Sequence, residues 1–173
     1  MLNNIHLNVP TLTDPSIFDK LRGESGWYEQ AKIKGKRLII ADGIAYDGNG
    51  QKFEGDTEQT LGSVAKELSC LFNEKIYDIV YIDRGKNIGK VALIDIPSVE
   101  KPYNLRHLII KASLPCASAS EPVIKYDPVV ALPSIELSTD RKKGELWKDM
   151  REFSDSLHDL PFSGVVLKHG DQQ

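Results

Sequence analysis

Short apolar runs separated by turn residues follow an irregular lead-in of residues 1–26. Two of these runs, 28–34 and 36–41, predict a pair of β-strands with a glycine between them. The Asp-Gly pair at 42–43 predicts a tight turn into a third strand at 44–46. We therefore expect the main domain, residues 27–173, to begin with closely spaced strands.

A helical period of apolar residues appears further along the chain. Residues 56–59 form a possible capping box before an apolar stripe that continues to Phe72. A short helix is predicted at 104–112, with Leu105, Leu108 and Ile109 on one face, and a second amphipathic helix at 144–158. The residues predicted to be buried in the two longer helices are Leu61, Val64, Leu68, Trp147, Met150 and Phe153.

Four more apolar runs predict additional strands. Runs 76–83 and 88–96 flank a polar turn, which favours an antiparallel hairpin. Residues 123–132 and 162–168 predict two further strands. Because strands cluster in pairs without regular alternation with helices, we expect an α+β fold with antiparallel sheets rather than a doubly wound sheet.

Length and charge restrict the class of protein. A chain of 173 residues fits one main core, and its net charge of -3 gives no general sign of nucleic-acid or lipid binding. No apolar run approaches the roughly 20 residues that span a bilayer, and no secretory signal is evident, so a cytoplasmic location is expected. Cys70 and Cys116 lack a metal-binding spacing, which favours two buried reduced thiols. None of the histidines shows the spacing of a metal site; they are His6, His107, His158 and His169.

The segment from Lys32 to Arg37 carries four cations in six positions. One interpretation is a solvated edge strand whose lysines prevent aggregation. The other is an anion site in which neighbouring cations disfavour protonation of a nucleophilic lysine, and in which Gly35 lets a phosphate approach the backbone.

The segment 163–168, Ser-Gly-Val-Val-Leu-Lys, is informative only together with the first. Alone it predicts a core strand whose Lys168 reaches solvent. The two segments in this order resemble the nucleotidyltransferase domain of ATP-dependent polynucleotide ligases, which is related to RNA ligases and mRNA capping enzymes. The family carries Lys-x-Asp-Gly-x-Arg near its start and Glu-Gly-Val-Val-Leu-Lys near its end. Intervening segments 44–52, 93–96 and 104–110 are also similar, in the family's order.

The resemblance implies a reaction and a set of ligands. Lys32 would attack the α-phosphate of ATP and form a lysyl-AMP, and Lys168 would stabilise charge on that phosphate. Arg37 would contact phosphate or ribose, and Mg²⁺ would neutralise the triphosphate. The positions assigned to cofactor binding are Lys34, Gly35, Arg37 and Ile94. The resemblance also implies that Lys32 and Lys168 line one cleft.

Several positions depart from the family pattern. Lys34 replaces the aspartate of the first motif, Ser163 replaces the glutamate of the last, and Ile94 stands where an aromatic residue stacks on adenine. The last lysine motif and the OB-fold domain of the family have no counterpart, which implies a partner chain or domain. The expected substrate is nicked or broken nucleic acid, with DNA favoured over RNA. Two alternatives stay open. In the first, the chain keeps the ligase fold but only binds nucleotide or nucleic acid, or serves as one subunit of a split ligase. In the second, it is an unrelated α+β interaction domain.

Overall fold

The computed structural model describes residues 26–53, 58–84, 88–114, 129–131, 134–136 and 162–171. Predictions on other residues lie outside this part of the chain. These are the lead-in, the first two capping-box positions, residues 85–87 of the predicted turn, residues 123–128 and 132 of the predicted strand at 123–132, the helix at 144–158 with Trp147, Met150 and Phe153, and Cys116, His6 and His158. None of the described helices is long and apolar enough to cross a membrane.

The described elements alternate between strands and helices without a repeating order. They are β1 (Trp27–Ile33), β2 (Lys36–Ala41), β3 (Ile44–Tyr46), α1 (Glu58–Phe72), β4 (Ile76–Tyr81), β5 (Val91–Asp95), α2 (Tyr103–Ser113), β6 (Val129–Ala131), β7 (Ser134–Glu136) and β8 (Phe162–His169). The predicted α+β class with antiparallel sheets is confirmed.

The strands form two sheets. A three-stranded antiparallel sheet has the order β7-β1-β8, and a five-stranded sheet has the order β3-β2-β4-β5-β6. The second sheet is antiparallel except for β5 and β6, which pair in parallel. Strands β1 and β2 are therefore neighbours in sequence but belong to different sheets, with Gly35 at the crossing between them.

Local turn chemistry explains the first hairpin. Asp42 and Gly43 both have positive φ, 49° and 81°, as the two central residues of a type I′ turn require. The turn pairs β2 with β3 in the register Ala41↔Ile44, as the sequence predicts. The predicted hairpin of β4 and β5 is confirmed as well, with Tyr81 opposite Val91.

Helix α1 packs one face on the five-stranded sheet. Leu61, Val64 and Leu68 are 4%, 1% and 0% exposed, as predicted from their spacing. The prediction of a buried thiol at Cys70 is wrong, because this residue lies on the solvent side of the helix. At about 100° per residue, Cys70 stands roughly 200° around the helix from Leu68. Leu71, included in the predicted stripe, is 44% exposed.

Helix α2 buries a more polar face than its apolar pattern suggests. Leu105 and Leu108 do share a side of the helix, but they are 41% and 58% exposed. The buried residues are Tyr103, Arg106, His107 and Ile110. The reason is that α2 packs against charged groups carried by β5 and β8, so its polar side faces inward.

Candidate functional site

The antiparallel pairing of β1 with β8 determines the geometry of the candidate site. Tyr28 is opposite Lys168, and Lys32 is opposite Gly164, in one continuous register. Alternate residues of a strand point to the same face, so Tyr28, Lys32 and Lys168 share one face of the three-stranded sheet. The positions of Lys32 and Lys168 are offset by four residues, roughly 13 Å along the strands at about 3.3 Å per residue. Two lysines far apart in sequence therefore lie on one face of the same sheet.

Lys168 is a buried lysine, contrary to the prediction that its end reaches solvent. It is 7% exposed, and its Nζ donates a hydrogen bond of 2.8 Å to Oε1 of Gln30. The same Nζ lies 4.7 Å from the ring centroid of Tyr103, in a cation–π contact. An ammonium has three N–H donors, and only one is used by Gln30.

The electrostatic surroundings change the acidity of this ammonium. Burial lowers the pKa of Lys168 from 10.5 to about 8, since water no longer solvates the charge. Asp95 and Asp78 oppose this lowering of the pKa, whereas Arg37 and Arg106 add to it. Lys168 is therefore mostly protonated at neutral pH but releases its proton under mildly alkaline conditions.

Arg37 is held by a carboxylate on the neighbouring strand. Its Nε and Nη2 donate to the two carboxylate oxygens of Asp78 at 3.1 and 2.6 Å. Asp78 is opposite Ile39, so it reaches Arg37 diagonally across β2 and β4 on the same face. Planar two-point pairing of this kind fixes the guanidinium.

A second arginine–carboxylate pair lies beside the first. Arg106 of α2 donates from Nε and Nη2 to Asp95 at 2.8 and 2.9 Å, and from Nη1 to the carbonyl of Lys101 at 2.6 Å. Asp78 is opposite Asp95 while the next pair is Ile79 with Leu93, so Ile94 is an extra, bulged residue in β5. A bulge of this kind re-aims the side chains beside it. We call Lys168, Asp78, Asp95, Arg37 and Arg106 the polar cluster.

Gly35 has a packing role that the sequence did not reveal. A Cβ at this position would lie 2.4 Å from the carbonyl oxygen of Tyr81 and 2.8 Å from Cγ1 of Val80. The side on which a Cβ would project is thus filled by β4. This contact explains a glycine here without the phosphate approach that the sequence suggested.

The three lysines of the first motif are exposed residues. Lys32, Lys34 and Lys36 are all exposed, and Lys36 lies over the ring of Phe53 at 5.0 Å. Three exposed lysines close together in sequence produce a positive surface at the β1–β2 connection. Such a surface attracts anions such as phosphates.

Ile94, expected to face adenine, is 9% exposed, and its carbonyl accepts a hydrogen bond of 3.2 Å from Nε2 of Gln30. Most of its side chain is therefore covered by protein. Within the described residues, Ile94 contributes a backbone contact to the site rather than an open stacking surface.

The described residues do not fit a site for Mg²⁺. Both carboxylates of the polar cluster accept two hydrogen bonds from an arginine, and no group of three His, Cys, Asp or Glu side chains within the described ranges could hold a metal ion. Mg²⁺ requires carboxylate or other oxygen ligands that can turn toward it.

Sequence reasoning missed Gln30, Asp78 and Tyr103 as parts of the site. Gln30 and Asp78 are 2% and 3% exposed, and Tyr103 is fully buried. A signal was present for Asp78, because a carboxylate between apolar neighbours in a buried strand must find a partner. No comparable signal marked Gln30 or Tyr103.

No family model and no curated protein matches the sequence. The chain is similar to a solved structure named Pmar-Lig_PreS3, with TM-score 0.53 and 18% identity, covering 94% of this chain and 42% of that chain. A related structure, Pmar-Lig_Pre, gives TM-score 0.52 and 18% identity with the same coverages. A third, described as "DNA binding with a minimal scaffold: Structure-function analysis of Lig E DNA ligases", has TM-score 0.47 and 11% identity, covering 85% of this chain and 56% of that chain, and carries no weight here.

The likeness concerns the fold alone, because identity is below one residue in four. The chain spans 42% of the length of the first two structures. The described residues therefore have an α+β fold similar to part of these Lig structures.

Proposed function

We propose that this chain is a nucleotidyltransferase domain of the ATP-dependent DNA or RNA ligase type, with Lys32 as the residue that accepts AMP. One observation carries the proposal: the pairing of β1 with β8 brings Lys32 and Lys168 to the same face of one sheet. If the two short motifs matched the family only by chance, nothing would require their lysines to lie on one sheet face. Similarity of fold to the Pmar-Lig structures supports the same interpretation.

The proposed step begins with the neutral amine of Lys32. Its nitrogen attacks the α-phosphorus of ATP, and a nitrogen–phosphorus bond forms. The bond from that phosphorus to the oxygen bridging the α- and β-phosphates breaks, and pyrophosphate leaves with the electron pair. The amine's extra proton passes to water. The AMP would then be transferred to a nucleic-acid end for strand joining.

The other residues act on the charge of the phosphates. Lys168 keeps its proton at neutral pH and has donors beyond the one given to Gln30, so it stabilises charge developing on the α-phosphate. Arg37 would contact phosphate or ribose, for which its pairing with Asp78 must loosen or tilt. The exposed lysines at 34 and 36 attract the triphosphate. Mg²⁺ bound to ATP in solution would lower the charge that these cations must offset.

Covalent labelling tests the proposal directly. The pure protein is incubated with Mg²⁺ and α-labelled ATP between pH 7 and 9, denatured, and examined for label that stays on the protein. We expect label on the wild type, none on Lys32→Ala, and undiminished label on Lys66→Ala, since Lys66 is an exposed lysine on α1. Lys34→Asp restores the family residue and should keep or raise the label. Absence of label on the wild type across this range would remove the enzymatic proposal.

The pairing of Asp78 and Asp95 with arginines favours a second function. In this alternative the chain binds a nucleotide or nucleic acid without transferring AMP, because the described residues do not fit a metal. Binding of ATP or of a nicked duplex by a protein that takes up no label would support this alternative. Binding of neither ligand would leave only a shared fold.

A further inference from the structure

Gln30 connects the two sheets at the centre of the site. Its side chain is 2% exposed, donates from Nε2 to the carbonyl of Ile94 at 3.2 Å, and accepts at Oε1 from Nζ of Lys168 at 2.8 Å. Ile94 belongs to the five-stranded sheet, and Lys168 belongs to the three-stranded one. One amide therefore links a backbone group of one sheet with the buried ammonium of the other.

The partners of this amide allow only one orientation. A carbonyl oxygen can only accept a hydrogen bond, and an ammonium can only donate. The Gln30 side chain must turn its nitrogen toward Ile94 and its oxygen toward Lys168. A glutamate could not donate to Ile94, and an aliphatic residue could serve neither partner. The position thus requires a donor and an acceptor on one side chain of this length.

The lysine that this amide holds has a long, otherwise flexible side chain. Among the described residues, the hydrogen-bond acceptor of the Lys168 ammonium is Gln30, and the ring of Tyr103 covers another side of it. We propose that Gln30 is a positioning residue, which fixes the Lys168 ammonium on the face that carries Lys32. This inference rests on the proposed function for its catalytic meaning, but the positioning itself concerns the free protein.

Other members of the polar cluster and residues of α2 also interact electrostatically with the Lys168 ammonium. The charged and titratable groups that face Lys168 are Tyr28 of β1, Asp95 of β5, Asp78 of β4, Arg37 of β2, and Arg106, Tyr103 and His107 of α2. Asp78 and Asp95 already pair with arginines, so neither is available to replace the acceptor that Gln30 provides. Loss of Gln30 should therefore leave the ammonium without its hydrogen-bond acceptor within the described residues.

Two substitutions at Gln30 have opposite expected effects. In Gln30→Leu the charged form of Lys168 loses an acceptor, so the pKa of Lys168 should fall below its value of about 8. In Gln30→Glu a carboxylate replaces the amide oxygen, so the pKa of Lys168 should rise. Gln51→Glu makes the same chemical change at an exposed position and is the matched control. A merely structural role for Gln30 would not move this pKa in two opposite directions.

The first measurement is an NMR titration of the Lys168 side chain in the free protein, with Lys168→Met assigning the signal and circular dichroism verifying the fold. The second is the rate of covalent labelling by α-labelled ATP against pH. We expect labelling to be roughly ten- to one-hundred-fold slower in Gln30→Leu, the range that loss of a hydrogen bond to a charged group produces. The alkaline decline of labelling should follow the pKa of Lys168 in each variant.

The outcomes separate the two proposals. Shifts of the Lys168 pKa in opposite directions, with no label on any protein, would support positioning by Gln30 and contradict AMP transfer. Equal pKa values of Lys168 in the wild type, both Gln30 variants and Gln51→Glu would overturn the positioning role, even if labelling by Lys32 is observed. Labelling of Gln30→Leu at the wild-type rate and pH dependence would overturn it as well.

Discussion

Asp78 and Asp95 lie directly opposite each other on neighbouring strands β4 and β5. Two like charges in this relation destabilise a sheet unless other charges intervene. Each carboxylate is bound at both oxygens by an arginine, Arg37 from the adjacent strand β2 and Arg106 from helix α2. Lys168 of β8 interacts electrostatically with all four of these groups. The polar cluster is therefore an interlocked set whose members come from five elements.

Replacing Lys168 by Met should remove a pH dependence of stability. The pKa of Lys168 is lowered to about 8 in the folded protein, so between pH 8 and 10.5 the unfolded chain binds more protons than the folded one. The free energy of unfolding of the wild type should therefore rise with pH across this window, relative to Lys168→Met, by at most about 3 kcal/mol. The cost of the buried charge is present in full below pH 8 and is relieved above 10.5.

Guanidinium chloride unfolding at several pH values between 7 and 10.5 measures this difference, with Lys66→Met as the control for an exposed lysine. Parallel stability curves for wild type and Lys168→Met would show that the folded protein does not lower the pKa of this lysine.

Gly35→Ala should destabilise the protein because its new Cβ meets backbone. The carbonyl oxygen of Tyr81, 2.4 Å from the Cβ position, belongs to β4 and cannot turn away as a flexible side chain could. Overpacking of this kind typically costs about 1–3 kcal/mol. Gly48→Ala is the matched control, because its Cβ would meet nothing within 4 Å and should leave stability unchanged or slightly raised. Equal melting temperatures for the two variants would argue against the packing role of Gly35.

Local patterns predicted the strands and hairpins well, because a turn such as Asp42-Gly43 carries its geometry in two residues. They predicted the buried side of α2 poorly. Leu105 and Leu108 form an apolar pattern but are exposed, whereas Arg106 is buried because it forms an ion pair with Asp95 of β5. A helix face can be identified from spacing only when its partners are apolar.

The candidate site could also be predicted only in part. Lys32 and Lys168 stand out by their motifs, and both lie on one sheet face. Gln30 could not be found, since its partner in the chain is 138 positions away and only strand order brings them together. Pairing of the first described strand with the last is a property of the whole fold, which no local pattern encodes.

His107 offers a test of how a buried titratable group affects acid stability. It is 5% exposed, it stacks on Tyr103 with ring centroids 6.1 Å apart, and neither ring nitrogen has a hydrogen-bond partner among the described residues. Burial lowers the pKa of His107 from 6.5 to about 4, with Lys111 and Lys168 adding to the effect and Asp95 opposing it. The imidazole is therefore neutral in the folded protein at neutral pH.

His107→Leu should stabilise the protein selectively at acid pH. Between pH 6.5 and 4 the unfolded chain binds a proton at this histidine and the folded protein does not, so wild-type stability falls as the pH drops through that window. Leucine has a similar volume and leaves no unpaired nitrogen, so its effect at pH 7 should be small. Near pH 4.5 the variant should exceed the wild type in free energy of unfolding by about 2–3 kcal/mol. His169→Leu, at a half-exposed histidine, is the control, and urea unfolding at pH 7 and 4.5 measures all three proteins. A variant that loses as much stability as the wild type between these two pH values would mean that His107 takes up its proton without cost in the folded state.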